Sequence, residues 1–389
     1  MKANTPDITR RNIGIDILRG LSILSVILLH FNIRVPFKET FIGELLPRMW
    51  YSLIFWSGFY GVCVFFVISG FLITTSALNK WGNLPAIDVR SFYGMRFARI
   101  IPLLVLLLLV LSLLHIQGAS GFTINEERTS LGRAVLAALS FHINWLEIKV
   151  GYLPGNWDVL WSLSIEETFY LFFPLLCLLV KTERQFIAIV AVFLLISPYA
   201  RTALYPDNEL GDRNHLAYLD AIAMGCVAAI VSKREWLSQK AIPWLTALGW
   251  IFLILVFLFK RMIYKAGLSS IGLNVTLLAI GAALVLIGMQ HRQKQGRQKN
   301  YLAFRWLAAI GRNSYEIYLT HMFVVIVVVK WFKEWGGSGE WIWGLYIGGT
   351  LLSALLGEAV ARWFSNPMNS YLRKRFVSIK PVNTSSDQT

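Results

Sequence analysis

Long apolar runs separated by short basic loops set the pattern of this chain. Stretches of about 20 apolar residues, the length a helix needs to cross a bilayer, fall at 13–33, 55–78, 97–116, 158–180, 185–204, 216–231, 242–259, 268–290, 307–330 and 341–364. In hydrocarbon every backbone polar group must be paired within the segment, so each stretch is expected to be a helix. A further piece, 131–147, is weakly apolar and carries His142, Asn144 and Glu147. Making it a span would invert everything after it and turn the basic run from Arg292 to Arg305 outward, whereas basic loop residues stay on the cytoplasmic side. The expectation is an all-α polytopic membrane protein of about ten transmembrane helices, with N- and C-termini cytoplasmic. The 131–147 piece then lies on the outer surface or dips into it. Residues 1–380 read as a single membrane-embedded domain and 381–389 as a short polar tail.

Composition supports this reading. Of 389 residues, 56% are hydrophobic and 15% charged, with a mean hydropathy of +0.56; soluble domains are nearer a quarter charged. The 37 basic residues outnumber the 22 acidic ones, giving +15. In a soluble protein that excess would point to nucleic acid. Here it lies in loops between apolar spans, and no nucleic-acid partner is expected. Cys63, Cys177 and Cys226 sit inside apolar stretches, match no metal or disulfide spacing, and read as buried small hydrophobes; no metal is expected. The first run carries Asp16, Arg19 and His30, and no small-residue cleavage site follows it. It reads as a retained helix rather than a removed signal peptide.

Ionisable residues inside spans are costly and mark candidate chemistry. Arg19 and His30 are eleven positions apart in the first span, about three turns and about 16 Å along one helix face. Asp16 can pair with Arg19 at i,i+3. Arg96 and Arg99 share a face at the start of the third span, where they can snorkel to headgroups or grip a phosphate with the guanidinium fork. The strongest local signal is Trp161-Ser-Leu-Ser-Ile-Glu166-Glu167-Thr-Phe-Tyr170. Two adjacent carboxylates inside a span are hard to explain structurally. Ser162, Glu166 and Tyr170 form an i,i+4 stripe, while Glu167 shares a face with Ser164. In the ninth span Tyr318 and His321 are spaced at i,i+3. Depth sorts these residues into two layers: Arg19, Arg96, Arg99 and Arg312 toward the cytoplasm, and His30, Glu166 and His321 farther out.

Taken in order, these segments resemble the acyltransferase 3 family of multi-pass membrane acyltransferases. The matching parts are Arg19 with His30, Phe-Val-Ile-Ser-Gly-Phe71, Arg96-x-x-Arg99 followed by Ile-Ile-Pro102, Trp161 to Tyr170, and Ser314-Tyr315 leading to His321. Thr168 stands where the family usually has Gln after its paired glutamates. The resemblance, covering roughly 13–365, makes 1–380 an acyltransferase domain and implies ten core helices. It also implies an acyl-CoA donor, acetyl-CoA or another acyl-CoA, on the cytoplasmic side. The implied reaction moves an acetyl or other short acyl group to a hydroxyl of a cell-surface polysaccharide or lipid-linked sugar. Location in the cell (inner, cytoplasmic) membrane follows. Some members carry a C-terminal esterase-like extracytoplasmic domain. This chain ends too soon for one, so it is expected to act directly or to pass the group to a separate partner.

The roles expected on this reading centre on His30, as general base or transient acyl carrier. Glu166 would orient its ring, Glu167 and His321 would complete the catalytic set, and Arg19, Arg96 and Arg99 would hold the CoA phosphates. A secondary transporter or flippase is the main rival, since intramembrane Glu and His also relay protons, but the internal repeats it would favour are not detectable. A lipid-dependent glycosyltransferase would carry an acidic motif in the first outer loop, where 34–54 has only Glu39 and Glu44.

Overall fold

The computed structural model describes residues 11–296 and 302–376. The polar tail 381–389 and the basic positions Lys2, Arg10, Arg297, Lys299 and Lys380 lie outside the described residues. Within them the chain is helical throughout and has no strand. The long helices, in chain order, are α1 (Ile13–Arg34), α2 (Gly58–Trp81), α3 (Val89–Ile116), α4 (Leu160–Leu179), α5 (Glu183–Thr202, two helical pieces meeting at Val192), α6 (Leu219–Arg234), α7 (Ile242–Leu258), α8 (Leu273–Lys294), α9 (Ser314–Glu334) and α10 (Trp341–Val360). Among the described residues, eight helices are long and apolar enough to cross a membrane, which makes the chain a polytopic membrane protein. The other two expected spans are α6, with 16 residues, and α7, with 17, both short of the usual crossing length.

Local chemistry explains where the helices begin. The Asn12 side chain accepts from the amides of Gly14 and Ile15, capping α1. Asp88 caps α3 through the Arg90 amide, so α3 starts at Val89 rather than at 97. Arg96 and Arg99 are therefore within the helix and not at its mouth. The expected ninth span is broken. Arg305–Arg312 is a separate short helix, and Asn313, with φ −103° and ψ 19°, interrupts the turn before α9. The 131–147 piece also divides, into Leu131–Leu139 and Ile143–Val150, around Phe141 at φ 55°; neither half is long enough to span.

Small residues set the closest packing. A β-carbon at Gly70 would run into the carbonyl of Ile222, and one at Gly225 into that of Val67. The two glycines thus let α2 and α6 approach backbone to backbone, as small residues do between membrane helices. The largest hydrophobic cluster joins α1, α2, α4, α6 and α8. A second cluster packs α3 against the 131–157 segment and the start of α4. Cys63, Cys177 and Cys226 are all buried and free. Beyond α10 the helix widens into a π-helical segment, Ala361–Ser365, before the terminal helix Asn366–Phe376. That helix returns along α3, with Phe376 stacked edge-on to Phe97 and its backbone against Gly94.

Candidate functional site

A cavity of about 180 Å³ opens between α1, α2, α3, α4 and α9. It gathers Arg19, Arg96, Arg99, Glu166 and Glu167, residues from three separate helices. Ser69, Ser162, Tyr170, Tyr315 and Tyr318 complete its polar wall. The i,i+4 stripe on α4 is real: the Tyr170 hydroxyl donates to Glu166 Oε1 at 2.6 Å. From α2, the Ser69 hydroxyl donates to the same carboxylate oxygen and also meets the Tyr170 hydroxyl.

Among the described residues no hydrogen bond joins Glu166 to His30, the contact expected from the sequence. The hydrogen bonds of Glu166 go to Ser69 and Tyr170. The partner of His30 is His321, with Nε2 of His321 at 3.1 Å from Nδ1 of His30. The cavity lining on α9 stops at Tyr318 and Leu319. His321 lies one turn farther on, behind the Tyr318 hydroxyl, which pairs with Ser162 at 2.7 Å and donates to the Val159 carbonyl at 3.0 Å.

The histidine pair has a defined tautomer. His321 Nδ1 lies 2.7 Å from the Tyr318 carbonyl oxygen. A carbonyl only accepts, so that nitrogen carries the hydrogen. In the neutral ring, Nε2 is then the acceptor and His30 Nδ1 must donate to it. His30 Nε2 is left unprotonated, the form a base or nucleophile requires.

The three arginines are not equivalent. Arg99 pairs with the buried Glu316 carboxylate at 2.7 Å, a partner that sequence reading did not anticipate. Arg96 stacks 3.6 Å over the Tyr170 ring and has no acidic partner at ion-pair distance among the described residues. Arg19 is 4.0 Å from Asp16, whose closer partner is Arg11 at 2.7 Å. The expected Asp16–Arg19 pair is thus the weaker of Asp16's two.

Outside the spans, the 131–158 segment is anchored by Arg213. Its guanidinium bridges Glu147, at 2.9 Å, and Asp158, at 2.5 Å. Burial first, and then the neighbouring Asp158 charge, hold the Glu147 carboxyl well above its ordinary range, with Arg213 pulling the other way. Burial also pushes His215 below the usual histidine value, and its ring accepts from the Trp145 indole. Sequence reading missed Ser69, Ser162's bond to Tyr318, and Glu316. Ser69 lies within the Phe-Val-Ile-Ser-Gly-Phe stretch, so a signal was present there, beside the glycine.

Five helices converge on arginines and paired carboxylates, with a histidine couple beyond the Tyr318 end of their cavity, in a membrane-embedded helical domain. The family model described as an acyltransferase domain matches residues 12–360, and the chain belongs to that acyltransferase 3 family. It is similar to the O-acetyltransferase OatA of Staphylococcus aureus (strain NCTC 8325 / PS 47), 25% identical over 93% of this chain and 58% of that protein. It is also similar to the peptidoglycan O-acetyltransferase OatA of Listeria monocytogenes, 28% identical over 79% of this chain and 48% of that protein. The chain thus spans about half the length of these relatives. No solved structure matches it.

Proposed function

We propose that the protein is a membrane O-acetyltransferase that carries an acetyl group from cytoplasmic acetyl-CoA to a glycan hydroxyl on the outer side. Peptidoglycan, named for the Listeria relative, is the favoured acceptor. The observation that carries the reading is the hydrogen-bonded chain Tyr318 carbonyl, His321, His30, which leaves His30 Nε2 unprotonated one turn beyond the Tyr318 end of an arginine-lined cavity. His30 Nε2 takes the proton of the acceptor hydroxyl as its oxygen bonds to the thioester carbon. The C–S bond then breaks, and the leaving thiolate takes that proton back from the imidazolium. His321 holds the ring in the required tautomer. Arg96 meets the donor phosphates, Arg19 lines the central cavity that the acylated arm enters, and Arg99 shares its fork with Glu316. The Ser162–Tyr318 bond is the partition that the thioester passes on its way to His30.

This reading takes ten crossings, α6 and α7 included, with both termini cytoplasmic and the protein in the inner membrane. In proteoliposomes supplied with radiolabelled acetyl-CoA and soluble glycan strands, label should move to glycan hydroxyls as base-labile ester. It should fail to do so with His30→Ala. Absence of transfer by wild-type protein to any glycan, with acetyl-CoA left intact, would overturn the assignment.

A further inference from the structure

A second cavity, of about 150 Å³, lies between α2, α3 and the terminal helix Asn366–Phe376. It shares Leu72, Arg96 and Arg99 with the central cavity, so the two are neighbours through one arginine wall. Two of the residues that line it and not the central cavity can contact a polar ligand. Arg373 reaches in from the terminal helix, and Trp81 stands at the end of α2.

The charge here is unbalanced. Arg96, Arg99 and Arg373 repel one another, and Lys80 lies close enough to Arg373 to feel it too. Against these cations stand Glu316 on Arg99, Asp88 near Lys80 and Glu167 near Arg96. Among the described residues, Arg373 has no hydrogen-bond or ion-pair partner. Like charges are held together at a cost unless an anion joins them. Arginine forks suit the oxygens of phosphate esters, and a Trp face suits a purine base.

We infer that this cavity is the nucleotide subsite of the donor, with Arg373 and Arg96 on the phosphates and Trp81 as the wall for the base. The inference rests on the proposed acyl-CoA donor and deepens it. Arg373 stays exposed at the mouth, where a soluble nucleotide can reach it. The acylated arm then runs past Leu72 and Arg96 into the central cavity.

The test compares two donors, acetyl-CoA and acetyl-pantetheine, which lacks the nucleotide, on wild-type protein and on Arg373→Gln and Trp81→Leu in liposomes. Arg373→Gln should raise the KM for acetyl-CoA tenfold or more, with kcat within about twofold, and leave acetyl-pantetheine turnover unchanged. Trp81→Leu should follow the same split. Equal losses with both donors, or no loss with either, would overturn the subsite. A dependence on anionic-lipid content shared by both donors would also overturn it, by making the cluster a headgroup site. Binding of free CoA, measured by calorimetry, separates the two ideas. If wild-type protein binds CoA through Arg373 but transfers nothing, the subsite stands and the transferase reading falls. If it transfers normally and Arg373→Gln binds CoA as wild type does, the subsite falls alone.

Discussion

The chemistry of a single imidazole decides most of what this chain does if His30 is the base. His30→Ala should abolish acyl transfer while the protein still inserts and accumulates, as followed by immunoblot and product assay. Near-normal product from that variant would remove His30 from the mechanism. His321→Ala should lower kcat by roughly 100-fold or more, within the range general-base groups contribute, and leave donor KM nearly unchanged, because it only sets the tautomer. Glu166→Gln should cost more than Glu167→Gln, since Glu166 ties Ser69 and Tyr170 together across two helices. Rates in the reverse order would show that the wrong carboxylate was chosen. The sequence identified Arg19, Arg96, Arg99, Glu166 and Glu167 as candidates, and they meet in one cavity. It could not show that His30 faces His321 instead of Glu166. Periodicity reports which residues share a helix face but is silent on which face of another helix, some hundred residues away, lies opposite. Glu316 was missed for the same reason: its partner, Arg99, lies on another helix more than two hundred residues away in the chain.

At the level of helices, hydropathy read existence well and ends poorly. Runs of apolar residues mark α1, α4, α5 and α7 closely, because hydrocarbon leaves a helix as the sole way to pair the backbone. Caps and breaks depend on single side chains such as Asp88 and Asn313, and these the apolar count averages away. The 131–158 segment makes a sharper test. It is held by one guanidinium between two carboxylates, one of them fully buried. Removing a partner from such a group leaves a buried charge uncompensated, which costs about 3 kcal/mol or more. Arg213→Met should therefore lower the melting temperature of detergent-purified protein clearly, and adding Glu147→Gln should restore part of the loss. Equal melting of wild type and Arg213→Met would mean that the segment is held by its apolar packing alone.

For the whole molecule, sidedness is the property to measure. In a cysteine-free background, Tyr152→Cys should label with an impermeant maleimide from outside, and Gln295→Cys only after the membrane is opened. Labelling of position 152 solely from the cytoplasm would invert everything downstream of α3. In sealed vesicles of known orientation, acetyl-CoA should be consumed only from the cytoplasmic face. Equal consumption from both faces would remove the two-layer arrangement of arginines and histidines. The π-helical segment Ala361–Ser365 bears on the same arrangement through angular phase. A π turn behaves as one residue inserted into an α-helix, and one residue is worth about 100° of rotation. The last helix is therefore clocked against α3 by that single extra residue, and the terminal arginine points where it does because of it. Deleting one residue from 361–365 should let the segment relax to α-helix and swing Arg373 about a quarter-turn off its cavity. The chain would keep every side chain of the proposed nucleotide subsite and still lose the alignment which that proposal requires.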